Sequence, residues 1–315
     1  MQMLGVGLSS AERPTRLRPE TTREFGSFVV RDLGVGSTYM RPPTRPLLTA
    51  AFLVFTAWLS PTTGAQTLPK KLVALLAHAD DETAAAPALA RYAREGVQVF
   101  MLIATDGAGG SGSQTYLQRS DSGPVGDALV KARVEEARCA AAALGAQEPV
   151  LFAFPDGKLG DYLGDRSLLM RLTDRIAKEI ERLRPDVVVT WGPDGGTGHP
   201  DHRLVSDIAT QLHRAGVTGM PERLVYMYLP AEMFRLSNPQ RGEPPMVIPQ
   251  AKYFTVEVPF TPGDLEAAKK ALACHHSQFN AELLQRMLPA MQHVWNGTVR
   301  FVPGSVVVSG GDLFR

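Results

Sequence analysis

The sequence predicts an α/β domain, a mostly parallel β-sheet covered by helices on both faces. Three observations carry this reading. Short apolar runs rich in β-forming residues recur from Leu72 to Val258. Helical patterns lie between most of them. The runs are close to continuously apolar rather than alternating, as expected of strands buried on both faces. With 44% hydrophobic and 21% charged residues in 315, the composition is that of an ordinary globular chain, which excludes disordered, collagen-like and coiled-coil architectures.

In order, the expected strands are Leu72–Ala77, Val97–Ala104, Val150–Phe154, Asp186–Trp191, Arg223–Leu229 and Tyr253–Val258. The expected helices are Ala84–Glu95, Ala128–Leu144, Ser167–Leu183, Asp201–Arg214 and Asp264–Ala273, followed by a helical tail over Ala281–Gln292. The third helix shows the logic most plainly. Leu168, Leu172, Ile176, Ile180 and Leu183 recur every three or four residues, while Arg171, Arg175, Lys178 and Glu181 take the opposite face. No internal repeat or low-complexity linker interrupts the pattern.

The N-terminus reads differently. Residues 1–39 show neither helical nor strand periodicity and are expected to be a disordered upstream extension, with Met40 as the functional start. Arg41 and Arg45 then form a basic region, Leu47–Leu59 is a 13-residue apolar run, and Thr63 and Ala65 stand at −3 and −1 of a cleavage site before Gln66. This is the layout of a secretory signal peptide. The run is well short of the roughly 20 residues that a bilayer-spanning helix needs. The expectation is an exported protein, periplasmic or secreted, with a single domain over residues 66–315 and no membrane anchor after cleavage. Removing residues 1–65 leaves 26 Lys+Arg against 28 Asp+Glu. A near-neutral chain gives no electrostatic reason to expect a nucleic-acid partner.

Open parallel sheets bind ligands beyond the carboxyl ends of their strands, and polar clusters stand at two of those ends. After the first strand comes AHADDE, with His78, Asp80, Asp81 and Glu82. After the fourth comes GPDGGTGHPDH, with Asp194, His199, Asp201 and His202. Three acids and a histidine within five residues repel one another and cannot fill an apolar core. One acid could cap the following helix, but the cluster as a whole calls for a cation. His78 and Asp81 are spaced to converge on one ion, and an imidazole from the second cluster would complete a two-histidine, one-carboxylate set. Such a set leaves positions open for water and substrate, as in catalytic zinc sites. Asp80 cannot easily point at the same ion as its neighbour, so it is free to take a proton from metal-bound water, whose pKa falls to roughly 7 on zinc.

These motifs resemble those of the PIG-L/LmbE-like family of zinc-dependent N-deacetylases, whose pattern is an early (A/G)HPDDE and a later GHPDH. The resemblance also takes in the TDG turn Thr105–Gly107, Arg133 and Glu136 ahead of an LG, FPDG at Phe154–Gly157, and Lys270–Gln278. It implies a Rossmann-like fold, Zn2+ held by His78, Asp81 and His202, and Asp80 as general base. His199 would be a charged imidazole that stabilises the oxyanion and protonates the leaving amine, with Asp201 orienting it. Asp106, Arg133 and His275 would stand on the substrate side. The implied reaction is hydrolysis of an acetamide on a sugar, often N-acetylglucosamine, to acetate and an amine, so the implied partner is a small-molecule or glycan substrate. The chain departs from the family at Ala79, where proline is usual, and at Thr197, where some sugar deacetylases carry tyrosine. The second departure bears on substrate choice. Two rival functions fit less of the sequence: a metal-dependent amidase acting on a thiol conjugate or other non-sugar amide, and a non-catalytic carbohydrate-binding protein.

Several lesser signals have ordinary readings. Gly107, Gly109 and Gly112 match G-x-G-x-x-G, but the following SQTYLQRSDSGPVGD is no amphipathic helix, so it reads as an active-site loop and not a dinucleotide site. Arg133 and Glu136 could be a surface ion pair worth about 0.2–0.5 kcal/mol, and Asp156 a turn residue. His276 is expected to be exposed. Cys139 and Cys274 suit small core positions better than a disulfide, although export permits one. Asn296–Thr298 matches a glycosylation sequon, which carries little weight by itself.

Overall fold

The computed structural model describes residues 68–111, 124–230, 232–233, 251–306 and 310–315. The segment upstream of Met40, the expected signal peptide, Gly112 and most of the loop that follows it lie outside the described residues.

Seven strands, β1 (Lys71–Leu76), β2 (Gln98–Thr105), β3 (Val150–Phe154), β4 (Val187–Trp191), β5 (Arg223–Met227), β6 (Val256–Pro259) and β7 (Thr298–Pro303), form one sheet. Its order is β3-β2-β1-β4-β5-β7-β6. The first five strands are parallel, and β7 pairs antiparallel with both β5 and β6. Among the described residues, six α-helices flank the sheet: α1 (Ala86–Arg94), α2 (Gly126–Leu144), α3 (Arg166–Leu183), α4 (Pro200–Arg214), α5 (Pro262–Cys274) and α6 (Ala281–Trp295).

Strand β1 shows why the runs are apolar throughout. Leu72, Ala74 and Leu76 face a core shared with α1, α2, α5 and α6, whereas Val73, Leu75 and Ala77 face one shared with α3 and α4. Each residue is fully or almost fully buried, so period-two side-chain alternation produces no polar face. The order 3-2-1-4-5 makes the β1/β4 boundary a topological switch point. Connections leave β1 toward β2 on one side and β4 toward β5 on the other, which opens a crevice at their carboxyl ends.

Two features differ from the sequence expectation. Strand β7 was not foreseen: Val299 and Phe301 are buried between β5 and β6, while Arg300 is exposed and pairs with Glu257 across the strands. Cys139 of α2 and Cys274 of α5 form a disulfide, with Cα atoms 5.8 Å apart, and do not serve as two separate small core residues. The reason is close helix approach, since Ala137, Ala140, Ala141, Ala268 and Ala271 are all buried in the core that α2 and α5 share. Asn296 of the sequon ends α6 in the left-handed conformation, a position that Asn tolerates better than most residues. No helix among the described residues is long and apolar enough to cross a membrane.

Candidate active site

The crevice beyond β1 and β4 is a cleft of about 240 Å³ containing His78, Asp80, Asp81, Asp156, His199 and His202. Its first wall is a tight turn. Asp81 Oδ2 accepts from the backbone N–H groups of Ala77 and His78 at 2.8 and 2.9 Å, and Thr105 at the end of β2 donates its hydroxyl to the Ala77 carbonyl. This folds the chain back immediately after β1 and leaves Asp81 Oδ1 aimed into the cleft.

The second wall is the start of α4. His199 is its N-cap, accepting from the Asp201 N–H at 3.2 Å, and Pro200 occupies the first helical position, where its missing N–H costs nothing. That places His202 one turn on. Its Nδ1 lies 2.9 Å from the Gly195 carbonyl, with the Thr197 hydroxyl 3.0 Å away. An N–H at Nδ1 is the form the carbonyl favours, and it leaves the Nε2 lone pair facing the cleft. Trp191 stacks flat on the same ring, with centroids 4.6 Å apart and planes at 8°.

His78 Nδ1 and His202 Nε2 are 2.9 Å apart, and Asp81 Oδ1 lies 3.0 Å from His202 Nε2 and 3.6 Å from His78 Nδ1. Three buried donor atoms thus face one point. On the far side of its ring, His78 Nε2 approaches Asp156 Oδ1 at 3.0 Å and Asp201 Oδ2 at 3.4 Å, though its N–H is not aimed straight at either oxygen. Burial disfavours a charged His78, but Asp156, Asp201 and Asp81 outweigh it and raise its proton affinity well above the usual histidine range. Asp81 is held well below the usual carboxylate range, burial notwithstanding, by His202 and His78. Buried carboxylates gathered around two imidazoles form an anionic nest, and two imidazole nitrogens with one carboxylate oxygen suit a divalent ion such as zinc. His199 is close enough to join a group with His78 and His202. Its Nδ1 is occupied by the Asp201 N–H.

Asp80 accepts from the Arg133 guanidinium, at 3.2 Å to Oδ1 and 3.5 Å to Oδ2. Burial would raise its pKa, but the Arg133 charge wins and lowers it, so Asp80 is ionised and able to accept a proton. Around these groups, Leu229, Met233, Phe279 and Met287 supply an apolar wall and Gln278 a polar one. Sequence reasoning missed these wall residues because their positions depend on how distant elements meet.

Several expected roles meet a different geometry. Asp201 does not orient His199 through its carboxylate. Both its oxygens accept backbone N–H groups, from Gly157 at 2.8 Å and Leu159 at 3.0 Å, and the carboxylate lies beside His78. Burial, with the neighbouring His78 and His202, lowers the His199 pKa to about 4, which disfavours the charged form expected of it. Asp106 accepts from Ala108 and Asp156 N–H groups and so shapes the turn that presents Asp156, outside the cleft lining. His275 is fully buried, 2.6 Å from Glu82, and does not line the cleft. Arg133 is also buried, not part of a surface pair, and its charge is engaged by Asp80. His276 is exposed, as expected. Gly107 and Gly109 allow close approach: a Cβ on them would come within 2.8 Å of Arg133 and 3.1 Å of Asp156, respectively.

Comparison with known proteins agrees with this architecture. The profile of the PIG-L family, GlcNAc-PI de-N-acetylase, matches residues 73–213. A 1D-myo-inositol 2-acetamido-2-deoxy-alpha-D-glucopyranoside deacetylase of Rhodococcus jostii (strain RHA1) is 31% identical over 246 residues, covering 66% of this chain and 82% of its own. The enzyme of that name from Kineococcus radiotolerans is 29% identical, covering 71% of this chain and 73% of its own. Among solved structures, N,N'-diacetylchitobiose deacetylase from Pyrococcus horikoshii shares the fold with a TM-score of 0.53 at 19% identity, over 75% of this chain and 84% of that one. The chain belongs to the PIG-L family.

Proposed function

We propose that this protein is a metal-dependent N-deacetylase that hydrolyses the acetamide of an N-acetylglucosamine-type sugar. The observation that carries the reading is the convergence of His78 Nδ1, Asp81 Oδ1 and His202 Nε2 beside an ionised, Arg133-paired Asp80. The relatives named for deacetylation of an acetamido-glucopyranoside supply the substrate class.

His78, Asp81 and His202 would hold the ion, Zn2+ by ligand type. When bound, it lowers the pKa of water and polarises the amide carbonyl. Asp80 takes the proton from the attacking water, with Arg133 keeping the carboxylate ionised beforehand. His199, with Nδ1 accepting from the Asp201 N–H, presents Nε2–H as a neutral donor to the developing oxyanion. A neutral imidazole is a poor acid, so the proton held on Asp80 is the one delivered to the departing amine. Asp156 and Asp201 brace His78 from behind. Water and acetamide balance to acetic acid and a free amine: one water proton passes through Asp80 to the nitrogen, and the other stays on the acid, which releases it to become acetate.

Incubation of the protein with N-acetylglucosaminides, following acetate and free amine by proton NMR, tests the reading. Equimolar release of both supports it. Hydrolysis confined to non-sugar amides or thiol conjugates would replace the substrate class. Saturable sugar binding without release would replace the reaction.

The layout of residues 40–65 and the Cys139–Cys274 bridge, a bond that persists in oxidising compartments, support export of a chain cleaved before Gln66. N-terminal sequencing of the secreted or periplasmic fraction is the check, and a product beginning elsewhere refutes it.

A further inference from the structure

One face of α2 carries three attachments at successive turns. Arg133 reaches Asp80. Glu136, buried to 1% exposure, accepts from both the N–H and the hydroxyl of Ser277 at 2.7 and 2.8 Å, and its Oε2 lies 3.8 Å from the Arg133 guanidinium. Cys139 is bonded to Cys274. The last two attachments hold the same stretch of chain, Cys274–Gln278, at the end of α5. From that stretch His275 extends to Glu82, next to Asp81. Gln278 donates to Ser277 Oγ and packs so closely on Gly110 that a Cβ there would sit 2.7 Å from its amide oxygen. Gln278 and Arg133 both line the cleft, while Glu136 does not.

We propose that Glu136 is a positioning residue for the deacetylation reaction, bracing Arg133 on Asp80 from one side and the Gln278 wall of the cleft from the other. The Cys139–Cys274 disulfide is the clamp that keeps the Cys274–Gln278 stretch within its reach. The proposal rests on the deacetylase reading. The physical argument concerns charge and register. Arg133 is a buried cation lying between two carboxylates. Glu136 supplies half of that frame without touching substrate, and its own position is set by two hydrogen bonds to Ser277. If the 274–278 stretch moves, Glu136 loses both partners while still buried, and the guanidinium loses its second anchor. Cys139 is exposed and Cys274 is not, so a thiol can reach the bridge from the Cys139 side. A small dithiol attacks Cys139 Sγ and expels the Cys274 thiolate. Its second thiol then displaces Cys139, leaving two protein thiols and one oxidised dithiol.

The test compares wild type, Glu136→Gln, Ser277→Ala and Cys139→Ser, each assayed for kcat, KM, metal content and unfolding midpoint. Wild type is also assayed after reduction with a dithiol and after reoxidation. The expected result for Glu136→Gln is a fall in kcat of about tenfold, the lower end of what loss of an outer partner costs, with metal content unchanged. Ser277→Ala and Cys139→Ser lower kcat less. Dithiol lowers wild-type kcat to the Cys139→Ser level, reoxidation restores it, and Cys139→Ser does not respond. Unchanged kcat in Glu136→Gln, or losses confined to KM or to metal content, overturns the positioning role. Wild-type kcat that is indifferent to reduction, with the free thiols verified, overturns the clamp. Wild type that releases no acetate, by contrast, refutes the deacetylase reading itself.

Discussion

Gly196→Ala isolates what holds the proposed metal ligand His202 in place. Gly196 has φ of +63°, and a Cβ built on it would lie 2.3 Å from Trp191 Cε3 and 2.7 Å from Cζ3. Carbon atoms settle at about 3.5–4 Å, so the indole must withdraw by roughly an ångström or the loop must yield. A non-glycine residue in the left-handed region costs about 1–2 kcal/mol, and forcing extra volume into a packed site adds about 1–3 kcal/mol. The variant should therefore lose about 2–5 kcal/mol of stability on those two terms together. Trp191 stacks on His202, and Gly195 beside the substitution supplies the carbonyl that orients the same ring. Part of the strain should consequently appear as weakened metal binding, of the order of 10–100-fold for disturbed outer partners of a ligand. Urea unfolding of the metal-free protein reads the first quantity, and competition with a chromophoric chelator reads the second. A variant that loses stability but binds metal as wild type does would refute the argument that the indole stack and the 195–196 turn position His202.

Other consequences follow from the same geometry. His202→Ala should abolish tight metal binding, read as metal per chain after dialysis, whereas His276→Ala, altering an exposed ring, should leave it unchanged. Phe301→Ala in β7 removes a fully buried ring and should cost about 3–5 kcal/mol in urea unfolding. Asp264 at the start of α5 accepts from Thr261 N–H at 2.8 Å and pairs with Arg94 of α1. Burial pushes its carboxyl up, but Arg94 and Thr261 outweigh burial and hold it below its ordinary value. A depressed carboxylate contributes stability that is present above the ordinary Asp pKa of about 3.9 and is lost as pH falls through the lower folded value. Asp264→Ala should accordingly cost about 1 kcal/mol at pH 7 through the lost cap. Its deficit against wild type should shrink below about pH 4.

The parallel strands were legible because burial on both faces removes polar positions, so Leu72–Leu76 and Val187–Val189 read as unbroken apolar words. Strand β7 was not, because Thr298–Pro303 alternates, with exposed Arg300 between buried Val299 and Phe301, and its partners β5 and β6 are brought to it by the tertiary fold. The ligand candidates were legible for a related reason. His78 and Asp81 follow β1 directly and His202 follows β4, and the sheet order makes those two ends neighbours. What stayed hidden was the assignment of partners among like residues. Asp201 is closer in sequence to His199, yet its carboxylate binds the Gly157–Leu159 turn. Arg133 meets Asp80 across 53 residues, His275 meets Glu82 across 193, and the two cysteines meet across 135. Local periodicity says which face of a helix is buried, but not which distant carboxylate waits there.

The central claim is that two imidazoles and one carboxylate hold an ion while Asp80 moves the proton. Asp80→Asn tests it most directly, because the amide keeps the shape of the side chain and removes only its basicity. Metal content by elemental analysis and acetate release from an N-acetylglucosaminide are measured on the same sample, beside wild type before and after chelation and zinc return. The account predicts one metal per chain in both proteins, wild-type release that stops on chelation and resumes with zinc, and at least a hundredfold loss of turnover in the variant, about the smallest contribution of a positioned general base. An Asp80→Asn protein that holds its metal and turns over like wild type would contradict it.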